Sequence, residues 1–392
     1  MKDIAPYVGV SGLRIVHVCL ASSYTEGLVY QDNMLADQNV MDGHEVCLVS
    51  DCSCFLEGRL VYAPPEDRFL ESGVRLVRLA FDKIFFGGVS GKVRKSRALM
   101  TLVRDFSPDV ILFHGVNSWE LLNIAKYKQE HPHVKFYVDN HADANNSATN
   151  IISKIFLHGM LYRSILKRVY PVIDRIFYVS WDAKDFLVNN YKLPEDKMEF
   201  YPLGGRVYAD CERLALRRSV RAELSLGDDD ILLCHSGKLG PLKRTEDILR
   251  ALANVQDDRF RLILLGAIPD DMRPVLEPLI AADGRVKYLG WMGADELIKY
   301  LCACDVYVQP GSQSATMQNA LCCGAPVMLY PHKSHTAYMC ANGWFVRDAE
   351  DIERVFREIL TDPAQLVQMG RQSLALATEL LDYGKLAARL YG

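Results

Sequence analysis

The run Gln309-Pro-Gly-Ser-Gln-Ser-Ala-Thr-Met-Gln-Asn-Ala-Leu-Cys-Cys-Gly-Ala-Pro-Val-Met-Leu-Tyr330 reads as a strand end, a loop of small residues, a helix and a second buried strand. Asp305-Val-Tyr-Val-Gln309 is the expected incoming strand and Pro326-Val-Met-Leu-Tyr330 the outgoing one. Between them Gly311, Ser312, Ser314, Ala315 and Thr316 keep the loop narrow and set backbone N–H groups at a helix N-terminus. Unpaired donors and the helix dipole favour an anion there. The carboxyl end of a parallel strand is also where open α/β sheets bind ligands. The plain alternative is an ordinary strand–loop–helix turn with a serine cap.

Working outward, the same alternation recurs along the chain. Leu13-Arg-Ile-Val-His-Val-Cys-Leu20 reads as a buried strand after a loose tail of about ten residues. A small-residue loop, Ala21–Gly27, leads into a helix that Gly43 and His44 stop, and Glu45–Ser50 is the next strand. That spacing is a βαβ unit. Further strands are expected at Arg75–Leu79, Val110–Phe113, Lys135–Asp139 and Arg175–Ser180. The pattern restarts with Asp230–His235, then Phe260–Leu265, Val286–Leu289, Val306–Gln309 and Val327–Tyr330. Strands alternating with helices predict an α/β fold of mostly parallel, doubly wound sheets. The turn-rich Tyr201-Pro-Leu-Gly-Gly205 marks the boundary between two Rossmann-like domains expected to face each other across a cleft. We therefore expect an N-terminal domain over 1–203, a C-terminal domain over 204–375, and a last helix over 376–392.

Composition narrows the function classes. The 392 residues suit two domains, and a hydrophobic fraction of 49% with 24% charged residues is that of a globular protein. A net charge of -4 argues against nucleic acid as a partner. Pairs among the 11 cysteines (Cys52/Cys54, Cys302/Cys304, Cys322/Cys323) are too close in sequence for ordinary structural bridges. With no visible signal peptide, this predicts a reducing, cytoplasmic setting. No apolar run is long enough to span a bilayer, and no pair of Cys-x-x-Cys motifs predicts zinc. His332 and His335 are spaced like ligands on one helical turn, but the neighbouring Pro331 favours a loop.

Chemistry-bearing residues gather at expected strand ends. Ser236-Gly237-Lys238-Leu-Gly240-Pro-Leu-Lys243-Arg244 places three cations on a glycine-containing loop, which suits a diphosphate. A solvated basic loop is the bland alternative. Asp139-Asn-His141-Ala-Asp143 crowds polar groups at another strand end, and His114-Gly115 does the same more weakly. Two basic stretches, Phe81–Arg97 and Ile151–Tyr170, mix aromatic or aliphatic residues with cations. Such faces suit an anionic membrane surface, or equally a core-facing helix with a solvated side.

The segment Asn319-Ala-Leu-Cys-Cys-Gly324-Ala-Pro326-Val327 resembles the donor-site helix of the retaining GT-B glycosyltransferases of family 4. Two glutamates of that family's motif fall here on Gly311 and Asn319. The resemblance implies that Asn319 meets the ribose and that the sugar contact passes to Ser314, Thr316 or Gln318. Lys238 and Lys243 match the family's diphosphate-holding cations, with Gly237 and Arg244 beside them. Tyr24-Thr-Glu26-Gly27, within the longer run to Asn33, resembles a polysaccharide- and glycolipid-assembly branch. There Glu26 would orient an acceptor hydroxyl, Gly27 would lie under the donor phosphate and Tyr24 near the acceptor; at their strand ends Asp143 and, more weakly, His114 are further candidate acceptor contacts. Glu26 can equally be a helix-start carboxylate. The resemblance puts His141 beside the donor sugar.

The expected activity is transfer of a sugar from a nucleoside diphosphate sugar to a hydroxyl of a glycan or lipid-linked glycan. By resemblance it proceeds with retention. The partners are then the nucleotide sugar, the acceptor and an anionic membrane surface on the cytoplasmic side. No cofactor is expected. With no Asp-x-Asp motif of the metal-dependent kind in view, no metal is expected either; fixed cations would stabilise the departing diphosphate. Two other classes stay open at this point. One is an epimerase or inverting transferase on the same fold. The other is a non-catalytic relic, which the replaced glutamates favour.

Overall fold

The computed structural model describes residues 12–56, 59–83, 90–143 and 153–392. The expected N-terminal tail and parts of the two basic stretches (84–89, 151 and 152) lie outside the described residues. The chain divides into two units, one running to Pro202 and joined by Leu386–Gly392, the other Leu203–Lys385.

The first unit is built on strands β1 (Arg14–Cys19), β2 (Glu45–Asp51), β3 (Ser53–Leu56), β4 (Arg59–Tyr62), β5 (Glu66–Phe69), β6 (Arg75–Leu79), β7 (Val110–His114), β8 (Lys135–Asn140), β9 (Arg175–Tyr178) and β10 (Met198–Phe200). Its main sheet runs β10-β9-β8-β7-β1-β2-β6-β5, parallel except for the β5–β6 edge pair. Central strands of such a sheet are covered on both faces, so they read as nearly continuous apolar runs. β1 and β7 are buried almost throughout. On one face Val16, Val18, Ile111, Phe113, Phe136 and Val138 enter the larger core; on the other, Cys19, Tyr24, Ala36, Leu48 and Leu76 form a smaller one. The hairpin β3–β4 was not anticipated from the sequence.

The second unit holds β11 (Ile231–Ser236), β12 (Phe260–Leu265), β13 (Val286–Gly290), β14 (Val306–Gln309), β15 (Val327–Leu329) and β16 (Gly343–Phe345). Their order is β13-β12-β11-β14-β15-β16, all parallel. Helix Ala349–Thr361 shows how sequence sets the packing. Asp348 caps it by accepting from the Asp351 N–H, and Ile352, Val355, Phe356 and Ile359 recur at helical spacing to enter the core. Each unit thus has the doubly wound, Rossmann-like build expected from the sequence.

The C-terminal segment is shorter than the expected 376–392 helix. Helix Gln365–Leu380 ends in the second unit, and the part belonging to the first begins at Leu386. There Tyr201 donates to the Leu386 carbonyl at 2.6 Å, Arg389 reaches Glu199 and the Phe200 carbonyl, and Tyr391 packs edge-on against His44.

The second basic stretch uses its apolar side inside the protein. Tyr162, Ile165, Leu166 and Val169 are core residues, while Lys167 and Arg168 face solvent. Arg94 and Lys95, in the first stretch, are held by the Asn117 carbonyl and the Trp119 ring. Among the described residues no helix is long and apolar enough to cross a membrane. All eleven cysteines are free thiols.

Candidate functional site

In the second unit, β11 delivers its loop to the carboxyl edge of the sheet beside the loop that follows β14. Gly237 adopts φ +125°, and a Cβ there would stand 3.1 Å from Lys243 Cε. A side chain would therefore be strained and would press on the lysine. A 3-10 turn, Pro241–Lys243, then brings Lys243 back under the loop. Lys243 is only 9% exposed, and its Nζ donates to the carbonyls of Ser312 and Gln313 at 3.2 and 3.1 Å. Burial brings its pKa down to about 8. The Ser312 N–H donates to the Leu242 carbonyl at 2.8 Å, so the two loops are stitched in both directions.

This stitching leaves no room for a side chain at Gly311. A Cβ at that position would lie 2.1 Å from the Leu242 carbonyl oxygen and 2.9 Å from Lys243 Cα. The backbone of residues 242 and 243 occupies the space a glutamate stem would need. The Lys243 turn thus requires glycine at 311.

Beneath the loops, His235 donates from Nδ1 to the Val308 carbonyl at 2.7 Å and meets the Thr245 hydroxyl at 2.9 Å. Its burial brings the pKa down to about 4, so it is a neutral strut fixing the start of helix Thr245–Asn254. Ser236, Tyr307 and Gln309 continue the network, and Gln309 Nε2 donates to the Ser312 carbonyl at 2.9 Å. Helix Ala315–Cys322 starts as expected, with Ser314 as N-cap accepting from the Thr316 N–H. Ser312 and Ala315 are exposed at the loop, and Ser314 and Thr316 are half-buried.

Other candidates are placed differently from one another. Lys238 is exposed at the loop tip. Arg244 is engaged by Asp247, the Arg347 carbonyl and the Tyr330 ring, which makes it a fastener of the loop. Gln318 is buried, and its amide donates to the Tyr338 hydroxyl at 2.9 Å, inside the fold. Asn319 lies against Gly205, where a Cβ would stand 3.1 Å from its Oδ1.

In the first unit, β1, β7 and β8 end side by side. Asp139, 1% exposed on β8, accepts from the Gly115 N–H at 2.8 Å through Oδ1 and meets His114 Nδ1 at 2.6 Å through Oδ2. His141 Nε2 stands 3.4 Å from the same Oδ2, with 41% of its side chain exposed. Burial alone would raise the Asp139 pKa. The two imidazoles overcome that and hold it far below the usual carboxylate range. Desolvation pulls the His141 pKa down, but the Asp139 carboxylate and the more distant Asp32 bring it above the ordinary histidine value. His114, Asp139 and His141 offer three potential ligand atoms within 4.8 Å of one another. At 2.6 Å, His114 Nδ1 and Asp139 Oδ2 are at hydrogen-bond distance.

Asp143 is half-buried just beyond His141. Gly27 adopts φ +72° in the loop before helix Gln31–Met41, with open space where a Cβ would sit. Glu26 is 41% exposed and paired with Arg68, which also holds Glu66. Two expectations need correction. Tyr24 is 4% exposed within the smaller core, under the Arg78 guanidinium, so its ring is a packing element and no surface for an acceptor. His114 is 3% exposed and engaged on both ring nitrogens, so it can act only through Asp139. Sequence reasoning also missed His17, Asn39 and Tyr391, which continue the polar chain behind His114. The only signal was a histidine inside an apolar strand.

Known proteins match this architecture. Residues 30–204 fit a family model described as glycosyl transferase 4-like domain, and residues 230–362 fit one described as glycosyl transferases group 1. A D-inositol 3-phosphate glycosyltransferase of Stackebrandtia nassauensis is 28% identical over 180 residues, 41% of this chain. That match takes in 40% of the relative, so the chain spans less than half of its length. Among solved structures, sucrose-phosphate synthase from Thermosynechococcus elongatus superposes with a TM-score of 0.67 at 16% identity, covering 97% of both chains. The Anabaena HepE protein in complex with UDP-glucose does so with a TM-score of 0.62 at 12% identity, covering 97% of this chain and 98% of that one. With one family domain matched in each of its two Rossmann-like units, the chain belongs to the group 1 glycosyltransferases.

Proposed function

We propose that this chain transfers a sugar from a nucleoside diphosphate sugar to a hydroxyl of a glycan or lipid-linked glycan, with retention and without a metal ion. The observation that carries this reading is Lys243: a buried ammonium held against the backbone of the loop that caps helix Ala315–Cys322. A buried cation beside a helix N-terminus costs stability, and a diphosphate between the two removes that cost.

Breaking the sugar–phosphate bond builds negative charge on the leaving diphosphate. Lys243, with Lys238 at the loop tip and the backbone N–H of Ala315, stabilises that charge in place of a metal. In the retaining route the departing phosphate takes the acceptor proton. In the first unit His141, partly exposed and set by Asp139, is our candidate for the sugar contact, and Asp143 our candidate for the acceptor contact. The exposed cations Lys167 and Arg168 support an acceptor presented at an anionic membrane surface on the cytoplasmic side. HepE, the neighbour solved with UDP-glucose, supports a UDP-sugar as the donor to try first.

The test is calorimetric titration with UDP, GDP, ADP and CDP, with chelator present, on wild type and Lys243→Ala. One nucleotide is expected to bind the wild type and to lose at least tenfold in affinity in the variant. Equal affinity for that nucleotide in a folded Lys243→Ala protein overturns the assignment of the donor site.

A further inference from the structure

Behind Asp139 runs a chain of polar contacts that the transfer reaction does not require. His114 Nε2 meets His17 Nδ1 at 3.0 Å, His17 Nε2 meets Asn39 Oδ1 at 2.8 Å, and Asn39 Nδ2 donates to the Tyr391 hydroxyl at 2.9 Å. Tyr391 in turn donates to Asp42, an exposed carboxylate at the C-terminal end of helix Gln31–Met41. His17 and Asn39 are fully buried, and the two imidazoles lie nearly parallel, 14° apart.

Counting protons along this chain fixes its direction. Tyr391 has one hydroxyl proton, and the Asp42 carboxylate takes it. Tyr391 can therefore only accept from Asn39, which turns the Asn39 amide nitrogen toward it and the carbonyl toward His17. A carbonyl brings no proton, so His17 carries one on Nε2. His17 is buried between His114 and Asn39, neither of which is anionic, so it stays neutral and its Nδ1 is bare. The proton in the His17–His114 contact must then come from His114 Nε2. At its other nitrogen His114 faces Asp139 at 2.6 Å, where a carboxylate already accepting from the Gly115 N–H needs a donor again. The reversed amide would leave the Tyr391 and Asp42 oxygens in contact with no proton between them.

We infer that Asp42 and Tyr391 set the polarity of a buried relay through Asn39 and His17 that holds His114 as an imidazolium against Asp139, making Tyr391 a positioning residue for His141. The imidazolium and the carboxylate are opposite in charge. His141 therefore meets an acceptor for its Nε2–H whose charge is partly offset by the His114 proton, which limits how far Asp139 draws a second proton onto His141. The proton assignment stands on the contacts alone; its consequence for His141 rests on the transfer reading above.

The test uses the full chain labelled with nitrogen-15 in histidine. Long-range proton–nitrogen correlations report which ring nitrogens of His17 and His114 carry protons. Wild type is expected to show His114 protonated on both nitrogens and His17 on Nε2. Asp42→Asn, a surface change, lets an amide donate to Tyr391. The whole chain can then reverse with one proton fewer, His17 moving its proton to Nδ1 and His114 keeping only its own Nδ1 proton. Tyr391→Phe, which cuts the chain, is expected to give the same ring states. Wild-type His114 with a single ring proton, or ring states unchanged in both folded variants, overturns the relay. In the transfer assay Asp42→Asn is expected to lower kcat by about tenfold with KM for the donor unchanged. Shifted ring states with kcat intact overturn the link to His141, while absence of any transfer by the wild type leaves the ring result standing and counts against the transfer reading alone.

Discussion

Replacing Lys243 by methionine should make this protein more stable and unable to bind its donor. The lysine is 9% exposed and burial lowers its pKa from 10.5 to about 8. At about 1.36 kcal/mol for each pH unit, keeping it charged in the fold costs about 3 kcal/mol at neutral pH. Methionine is one atom shorter and keeps an apolar stem. It gives up two hydrogen bonds to the carbonyls of Ser312 and Gln313, both residues exposed enough for water to replace the donor. At about 0.5–1 kcal/mol per bond, the net gain is about 1–2 kcal/mol. The sign with pH follows from linkage. Between about pH 8 and pH 10.5 the unfolded chain holds more protons at this site than the folded one, so wild-type stability gains with rising pH. The advantage of Lys243→Met is therefore largest below about pH 8 and gone above about pH 10.5. Denaturant titrations of both proteins across this range measure it. A chain of two units can unfold in two steps, so the transition that bound UDP shifts in the wild type is the one to compare. A variant less stable than wild type at neutral pH refutes the reasoning, because it means the ammonium is better solvated than its burial implies.

The same lysine predicts a pH profile for donor binding: flat below about pH 8, then falling by up to tenfold per pH unit as the empty site loses its proton. Calorimetry with UDP reads it, and a flat profile to pH 10 would remove Lys243 from the site. Restoring the family's carboxylate with Gly311→Glu should destabilise the second unit by about 3 kcal/mol or more, because its Cβ would stand 2.1 Å from the Leu242 carbonyl. Gly311→Ala should lose nearly as much, and a denaturant midpoint unchanged in either variant contradicts the steric account. Asp139→Asn should destabilise the first unit by about 1–3 kcal/mol, since an amide cannot accept from both the Gly115 N–H and His114 Nδ1 and leaves a buried polar group unmatched. His141→Asn, at a side chain 41% exposed, should leave stability within about 0.5 kcal/mol while lowering kcat. Thermal unfolding beside a transfer assay separates the two, and equal stability losses would put His141 in the structural core.

Local sequence carried the fold because its strands are buried on both sides, and burial on both sides leaves an apolar run with loops of small residues at each end. β1, β7, β11 and β14 were legible for that reason, and so was the loop holding Lys238 and Lys243. The hairpin β3–β4 was not legible, since Phe55, Leu56, Leu60 and Tyr62 are exposed and their pattern answers to no core. Reading polar residues one at a time does not show partners far along the chain: Glu26 is paired with Arg68, and Arg244 reaches the carbonyl of residue 347. Tyr24 and His114 have the chemistry of a binding surface and the burial of a core.

Gly311 and Lys243 bring the two kinds of information together. Motif comparison alone presents the glycine as a loss, a carboxylate missing from a donor loop. The backbone shows the glycine and the lysine turn to be one feature, since the carbonyl of Leu242 fills the position where any side chain at 311 would begin. On the proposed donor reading, a loop closed over a buried ammonium in this way lacks a negative charge beside the sugar and encloses a positive one beneath the phosphates. Such an arrangement weakens recognition of the sugar's hydroxyls and leaves the leaving-group end intact. Donor discrimination in this protein should therefore fall more on the nucleotide and diphosphate than on the sugar. Competition by free UDP against UDP-glucose measures this directly: the two should bind within about tenfold of each other, a sugar contribution of less than about 1.4 kcal/mol. A UDP-sugar that binds a hundredfold more tightly than UDP would show that other groups have taken over the glutamate's role.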